Sequence, residues 1–258
     1  MPYKAIRYEL SDGMAVITLD RPDVMNALNT QMRAELLEAM RRASGEARVA
    51  VLTGAGRAFC SGQDLGDGAA AAGLDLERVL RDEYEPMLEA IYDAPIPVIA
   101  AVNGPAAGAG ANLALAADVV IAAESAVFMQ AFSRIGLMPD AGGTYWLPRQ
   151  VGFARAMGLA LFAEKIDARR AAEWGMIWEA VADVDFDHHW RARAMALAKG
   201  PTQAYRAIKQ AMREGYSNDL GQQLEREAQL QGQLGATHDF REGVLAFLEK
   251  RPAQYEGR

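Results

Sequence analysis

Residues 98–144 read VIAAVNGPAAGAGANLALAADVVIAAESAVFMQAFSRIGLMPDAGGT, and the fold is decided there. The apolar run Val98–Val102 has the length and composition of a buried strand and ends at Asn103-Gly104. Pro105-Ala106-Ala107-Gly108-Ala109-Gly110 follows and opens an Ala/Leu helix. Side chains this small let a ligand approach the backbone, and the first N–H groups of a helix have no partner inside it. Such a turn holds an anion or a polarised carbonyl without a basic side chain. Phe59-Cys60-Ser61-Gly62-Gln63-Asp64-Leu65 is a second strand-to-helix turn of the same kind. Two such turns could present two N–H donors to one oxygen.

Outward from this stretch, strands alternate with helices. Tyr3–Leu10 and Met14–Leu19 are β-prone runs around the hairpin signal Ser11-Asp12-Gly13, and Arg21-Pro22 stops the second. Asn29 is placed to cap a helix whose apolar positions are Met32, Leu36, Leu37 and Met40. Val49–Leu52 and Asp118–Ala122 read as buried strands. Residues 66–75, GDGAAAAGLD, have the composition of a mobile loop; a helix from about Leu76 to Ile91 follows, broken by Asp93-Ala94-Pro95-Ile96-Pro97. This alternation predicts an α/β core with a mostly parallel sheet. From Ala154 the character is helical: Ala154–Ala163, Ala168–Trp174, Trp190–Lys199, Pro201 to about Glu214, Leu220–Leu234 and Phe240–Lys250. A core over 1–195 and a helical C-terminal lobe over 196–258 are the expected division.

The 258 residues are 51% hydrophobic and 24% charged, enough for a substantial core. A net charge of −7 argues against nucleic acid, which selects clustered Lys and Arg. One cysteine, Cys60, leaves no internal disulfide and fits a reducing compartment. No run reaches about 18 apolar residues, and MPYKAIRYELSDG has no signal-peptide core, so a cytoplasmic protein without membrane association is expected. His188, His189 and His238 lack metal-site spacing, and no metal or separate cofactor is expected. Serine-hydrolase elbows, Walker loops and dinucleotide fingerprints are missing from the chain.

Phe59–Leu65, Pro97-Val98-Ile99-Ala100-Ala101-Val102-Asn103-Gly104 and Pro139-Asp140-Ala141-Gly142-Gly143-Thr144 resemble the crotonase (enoyl-CoA hydratase/isomerase) superfamily. Arg21-Pro22 with Met25-Asn26-Ala27-Leu28, and Arg241-Glu242-Gly243 through Arg251, match it in the same order. The resemblance spans nearly the whole chain. It implies a spiral core of repeated ββα units with a C-terminal helical lobe, an acyl-CoA substrate, and a homotrimer or dimer of trimers. Within the superfamily, Gly54–Leu65, Ala131–Asp140, Arg155–Leu161 and Glu173–Trp178 are similar to the isomerases that convert ring-1,2-epoxyphenylacetyl-CoA to oxepin-CoA in aerobic phenylacetate degradation. Some relatives sharing this wording act on aliphatic acyl-CoAs. A Δ3,Δ2-enoyl-CoA isomerase or hydratase-like enzyme of fatty-acid oxidation, or a non-catalytic CoA- or RNA-binding member, therefore stays open.

By this resemblance the two oxyanion donors are the backbone N–H groups of Gln63 and Ala109, flanked by Gly108. The hydratases of the family use two glutamates; at their positions this chain has Asn112 and Phe132. What remains is Asp140, after Pro139, where a subset of isomerases keeps its acid. A lone carboxylate suits an intramolecular proton shift, and an apolar setting of Phe128, Phe132, Ile135, Leu137 and Met138 would raise its pKa. As a bare sequence feature Asp140 equally reads as a turn residue or helix cap. The CoA-binding positions implied are Met25 and Ala27 for adenine, Arg21 for phosphate, Ser61, Gln63, Asp64 and Leu65 along adenine and pantetheine, and Lys250 toward a neighbouring subunit's CoA. Asp64 also fits a role in its own turn, and Lys250 that of a solvated lysine. Tyr145 and Trp146 could line an acyl pocket or pack in the core, and Cys60 reads as a packing residue.

Overall fold

The computed structural model describes residues 2–66 and 75–258. The loop expected over 66–75 falls, for 67–74, outside the described residues.

β1 (Ile6–Ser11) and β2 (Met14–Leu19) form the expected antiparallel hairpin. Asp12 and Gly13 both take left-handed backbone, φ 51° and 76°, which twists the turn to match the strands. Asn29 caps α1 (Thr30–Glu46), its Oδ1 accepting the Met32 N–H at 2.9 Å. β3 (Val49–Gly54) follows. The helix expected over 76–91 is one run in three parts: α2 (Leu76–Val79), a π-helical turn (Leu80–Tyr84) and α3 (Glu85–Tyr92). Pro86 has no N–H for the carbonyl four residues back, so a regular ladder cannot continue through it.

The central stretch gives β4 (Val98–Val102), β5 (Ala106–Ala107), α4 (Ala109–Leu115), β6 (Val119–Ala123) and β7 (Val127–Met129), then a 3₁₀ turn over Ala131–Ile135. Next come α5 (Gly143–Val151), α6 (Phe153–Phe162), β8 (Lys165–Asp167), α7 (Ala168–Glu173) and β9 (Glu179–Val181). The remainder is helical: α8 (Asp183–Ala198), α9 (Thr202–Glu214), α10 (Leu220–Gly235) and α11 (His238–Glu249). α8 begins seven residues before the expected Trp190, with Asp183 and Asp185 in its first turn, where the helix dipole favours acids. Pro201 is the cap before α9 rather than its first residue.

Six strands form one sheet in the order β1-β2-β3-β4-β6-β9, parallel except for the first pair. Alternate residues point to opposite faces, and both faces are covered. Ile17, Leu52, Ala100 and Val102 join the main core with α1, α3 and α4. Val16, Val51, Ile99 and Ile121 pack on Phe186, Trp190 and Ala194 of α8. α8 therefore lies on the sheet and spans residue 195. The short strands β5, β7 and β8 make a second sheet beside α4. α9 is tied to the core through Asp118, which accepts from Lys209 and Arg213 at 2.7 Å each. This is the mixed α/β architecture with a helical C-terminal region expected from the sequence. Among the described residues no helix is long and apolar enough to cross a membrane.

Candidate active site

The two small-residue turns lie side by side. Pro105 O accepts from Phe59 N and Cys60 N at 3.1 and 3.2 Å, and Ala107 N donates to Cys60 O at 2.9 Å. Gly110 makes this approach possible: a Cβ there would stand 2.3 Å from Cys60 O. On its other side, the first turn pairs with the chain before α1. Leu28 N donates to Gly62 O, and Asp64 N donates to Leu28 O. Successive N–H groups on an extended chain point opposite ways, so the Gln63 N–H faces away from Leu28. Gly62 and Gln63 line a cavity of about 290 Å³ together with Gly108 and Ala109. Gly108, at φ 53°, caps α4, and Ala109 contributes the first N–H of that helix. The two donor turns expected from the sequence thus open into one cavity.

Asp140 lines the same cavity, with Phe132, Ile135, Leu137, Val79, Leu80 and Tyr84 around it. It is the one carboxylate among the described lining residues. Burial pushes its pKa up to about 6, against the pull of a hydrogen bond from its own backbone N–H. Its Oδ1 is buried with no hydrogen-bond partner among the described residues. Asn112 and Gly143 hold its backbone, both donating to Asp140 O, at 2.7 and 2.8 Å. Asn112 is fully buried and is steadied by Gln130 Nε2, which donates to its Oδ1 at 2.8 Å.

The remaining expected residues are distributed as follows. Phe132 is buried and packs against Gly108, while Phe128 belongs to the core and Met138 is largely exposed. Pro139 is buried beside Asp140. Met25 and Ala27 stand next to the first turn, since Ser61 N donates to Met25 O at 3.0 Å; Met25 and Leu65 are exposed at its rim. Arg21 does not reach out alone. Its Nη1 donates to Asp64 Oδ2 at 2.8 Å and to Ala27 O at 2.7 Å, and Asp64 Oδ1 accepts from Gly66 N. Asp64 shapes its turn and, unlike Ser61, Gln63 and Leu65, is not among the cavity-lining residues. Lys250 is the exposed left-handed cap of α11 and is not among the cavity-lining residues. Tyr145 and Trp146 contact the Tyr92 ring and are not among the described residues lining the cavity; Trp146 packs against the core, while Tyr145 is exposed. Cys60 is fully buried, and burial pushes its thiol up to about 12, which leaves it inert.

Three contributors were given no role by the sequence. Asn26 is fully buried; it accepts from Arg21 N and donates to Ala55 O and Ala58 O, locking the chain ahead of Ser61. Arg33 and Tyr84 meet at the side chain of Gln63. Nothing in local spacing signals contacts over 21 to 32 residues. Among the described residues no group of three or more His, Cys, Asp or Glu could hold a metal ion.

The comparisons with known proteins agree with this geometry. The family model described as enoyl-CoA hydratase/isomerase matches residues 9–258. A Rhodobacter capsulatus protein named "Probable enoyl-CoA hydratase" is 72% identical over the full length of both chains. The 1,2-epoxyphenylacetyl-CoA isomerase of Escherichia coli K12 is 46% identical over 95% of this chain and 96% of its own. The solved enoyl-CoA hydratase of Bacillus anthracis superimposes with a TM-score of 0.91 at 34% identity, covering 99% of this chain and 100% of that one. Two neighbouring turns feeding one cavity, on this sheet and with these relatives, have one reading: the chain belongs to the enoyl-CoA hydratase/isomerase (crotonase) family.

Proposed function

We propose that the protein is an acyl-CoA isomerase that needs no added cofactor. Its substrate in this reading is ring-1,2-epoxyphenylacetyl-CoA, converted to oxepin-CoA in aerobic phenylacetate degradation; shifting a cis-3 double bond to trans-2 is a second activity of the same site. The observation that carries the proposal is that Asp140 is the lone carboxylate among the described residues lining the cavity, while Asn112 and Phe132 occupy the positions where, by the family resemblance, the hydratases hold glutamates.

The chemistry follows from the placement. The N–H groups of Gln63 and Ala109 hold the thioester oxygen as it gains negative charge, each such donor contributing about 3 kcal/mol to the transition state. Asp140 takes a proton from the carbon next to the thioester. The dienolate formed from a cis-3-enoyl group then accepts the same proton at C-4, and the double bond ends at C-2. No atoms are gained or lost. Epoxide and oxepin are likewise isomers, so no water or reductant enters. A pKa of about 6 lets one carboxyl act as base and then as acid near neutrality. Hydration is disfavoured because adding water calls for a second carboxylate to hold it. Identity to the Escherichia coli isomerase supports the aromatic substrate. Assembly as a homotrimer belongs to the same reading, with the exposed apolar residues Phe240, Phe247 and Leu248 of α11 as contact surface.

The test is turnover of purified protein on cis-3-hexenoyl-CoA and on enzymatically generated epoxyphenylacetyl-CoA, each beside Asp140→Asn. Oxepin formation that the variant loses supports the aromatic reading. Activity on the aliphatic ester alone moves the protein to fatty-acid oxidation. No conversion of either ester overturns the isomerase.

A further inference from the structure

The side chain of Gln63 is anchored, although only its backbone faces the thioester in the reading above. Its Oε1 accepts from the Tyr84 hydroxyl at 2.6 Å and from Arg33 Nη1 at 3.0 Å. Both partners are themselves fixed. Arg33 is 2% exposed; its Nη1 also donates to Leu28 O at 2.7 Å, the carbonyl that accepts from Asp64 N. Its Nη2 donates to Thr30 Oγ1 at 3.1 Å. Two further bonds, from Nε and Nη2 at 3.0 and 2.6 Å, go to Glu83 Oε2. The guanidinium lies 4.9 Å from the centre of the Tyr84 ring. Tyr84 is 3% exposed, and burial raises its pKa, so its hydroxyl stays a donor throughout the neutral range.

Glu83 and Tyr84 end the π-helical turn. Leu76, Val79 and Leu80, one to two turns earlier in the same run, form one wall of the cavity. That wall and the donor loop are therefore joined by hydrogen bonds through Tyr84 and Arg33 rather than by packing alone. At Gln63, which bridges to Leu28, only the angle φ separates the N–H from the Cα–Cβ bond, so holding the side-chain amide restricts the directions the N–H can take.

We infer that Arg33 and Tyr84 are positioning residues: by holding the Gln63 side chain they aim its backbone N–H at the thioester oxygen and couple that donor to the acyl-binding wall. The inference rests on Gln63 as an oxyanion donor and is independent of the role of Asp140. Loss of the Tyr84 hydroxyl leaves the donor in place but loosely aimed. The expected loss in kcat is about tenfold, below the roughly 10²–10³-fold that follows from deleting a donor. KM is expected to change less than about threefold, since aim matters most where charge has developed.

The experiment reads carbonyl polarisation directly. Hexanoyl-CoA carrying a 13C label at its thioester carbonyl is bound to the wild type, Tyr84→Phe, Gln63→Met and Asp140→Asn, and the carbonyl stretch is recorded by isotope-edited infrared difference spectroscopy. Turnover is measured in parallel on cis-3-hexenoyl-CoA. The wild type and Asp140→Asn are expected to lower the stretch equally. Tyr84→Phe and Gln63→Met, which keeps the chain length and the N–H, are each expected to lose a large part of that shift. In the double variant their effects should not add. An undiminished shift in both single variants overturns the inference, whatever their rates. No shift in the wild type removes the oxyanion donor and the inference with it. Residual turnover in Asp140→Asn with the expected spectra sinks the proton-shuttle reading alone.

Discussion

Asn112 donates Nδ2 to the carbonyl oxygen of Asp140 at 2.7 Å while its own Oδ1 accepts from Gln130, so the position where the resemblance implies a glutamate in the hydratases here steadies the backbone of the proposed base. Asn112→Asp would turn that donor into an acceptor and set a buried carboxylate against the Asp140 carbonyl. A buried bond left unmade costs about 1–3 kcal/mol, and an unpaired charge more. The variant is expected to unfold several degrees lower and to isomerise at least about tenfold more slowly. Calorimetry and initial rates at one pH check this; an unchanged midpoint would contradict the anchoring role.

Asp140 also sets a pH dependence whose sign is fixed by its raised pKa. As a base it must be ionised, so kcat/KM is expected to fall about tenfold per unit below pH 6 and to level off above it. Stability runs the other way. The folded state holds this proton more tightly than the unfolded chain, so ionisation above pH 6 weakens the fold. Asp140→Asn removes that cost and is expected to stabilise the protein by about 1–2 kcal/mol at pH 8, after allowing for partial solvent access. The gain should shrink as pH falls through 6 and vanish near the ordinary aspartate value. Denaturant melts of both proteins at pH 8 and pH 4 decide it.

Gly110 sits where a Cβ would come 2.3 Å from Cys60 O and 2.7 Å from Cys60 Sγ. Backbone cannot yield as a flexible side chain does. Gly110→Ala is expected to lose about 2–3 kcal/mol and to part the two donor turns, reducing turnover beyond the loss of stability. Gly232→Ala in α10, where a Cβ meets nothing within 4 Å, is expected to gain about 0.5–1 kcal/mol instead. Equal effects at the two glycines would contradict the close approach of the turns.

The parts of this structure that were legible in sequence are those set by local chemistry. Val98–Val102 and Val49–Leu52 are apolar because both faces of a parallel sheet are buried, and Asn29 marks its helix by its own capping bond. The donor turns were legible because close backbone approach demands Gly and Ala. Other elements left no periodic trace. β5, β7 and β8 are two or three residues long, and α5 is hidden by Gly142 before it, Gly143 at its start and Pro148 within it. Asp140 alone reads as a turn residue; the family resemblance singled it out, and burial raises its pKa. Arg33 and Tyr84 gain their roles only through contacts made across the folded chain.

The measurement that bears most directly on the central claim is the mass of the product formed from cis-3-hexenoyl-CoA and from trans-2-hexenoyl-CoA by the wild type and by Asp140→Asn. A lone carboxylate moves a proton without adding water. The expected result is interconversion of species of unchanged mass, lost in the variant by about 10²-fold or more. A product heavier by one water, formed at a rate comparable to isomerisation, would contradict it and make the protein a hydratase.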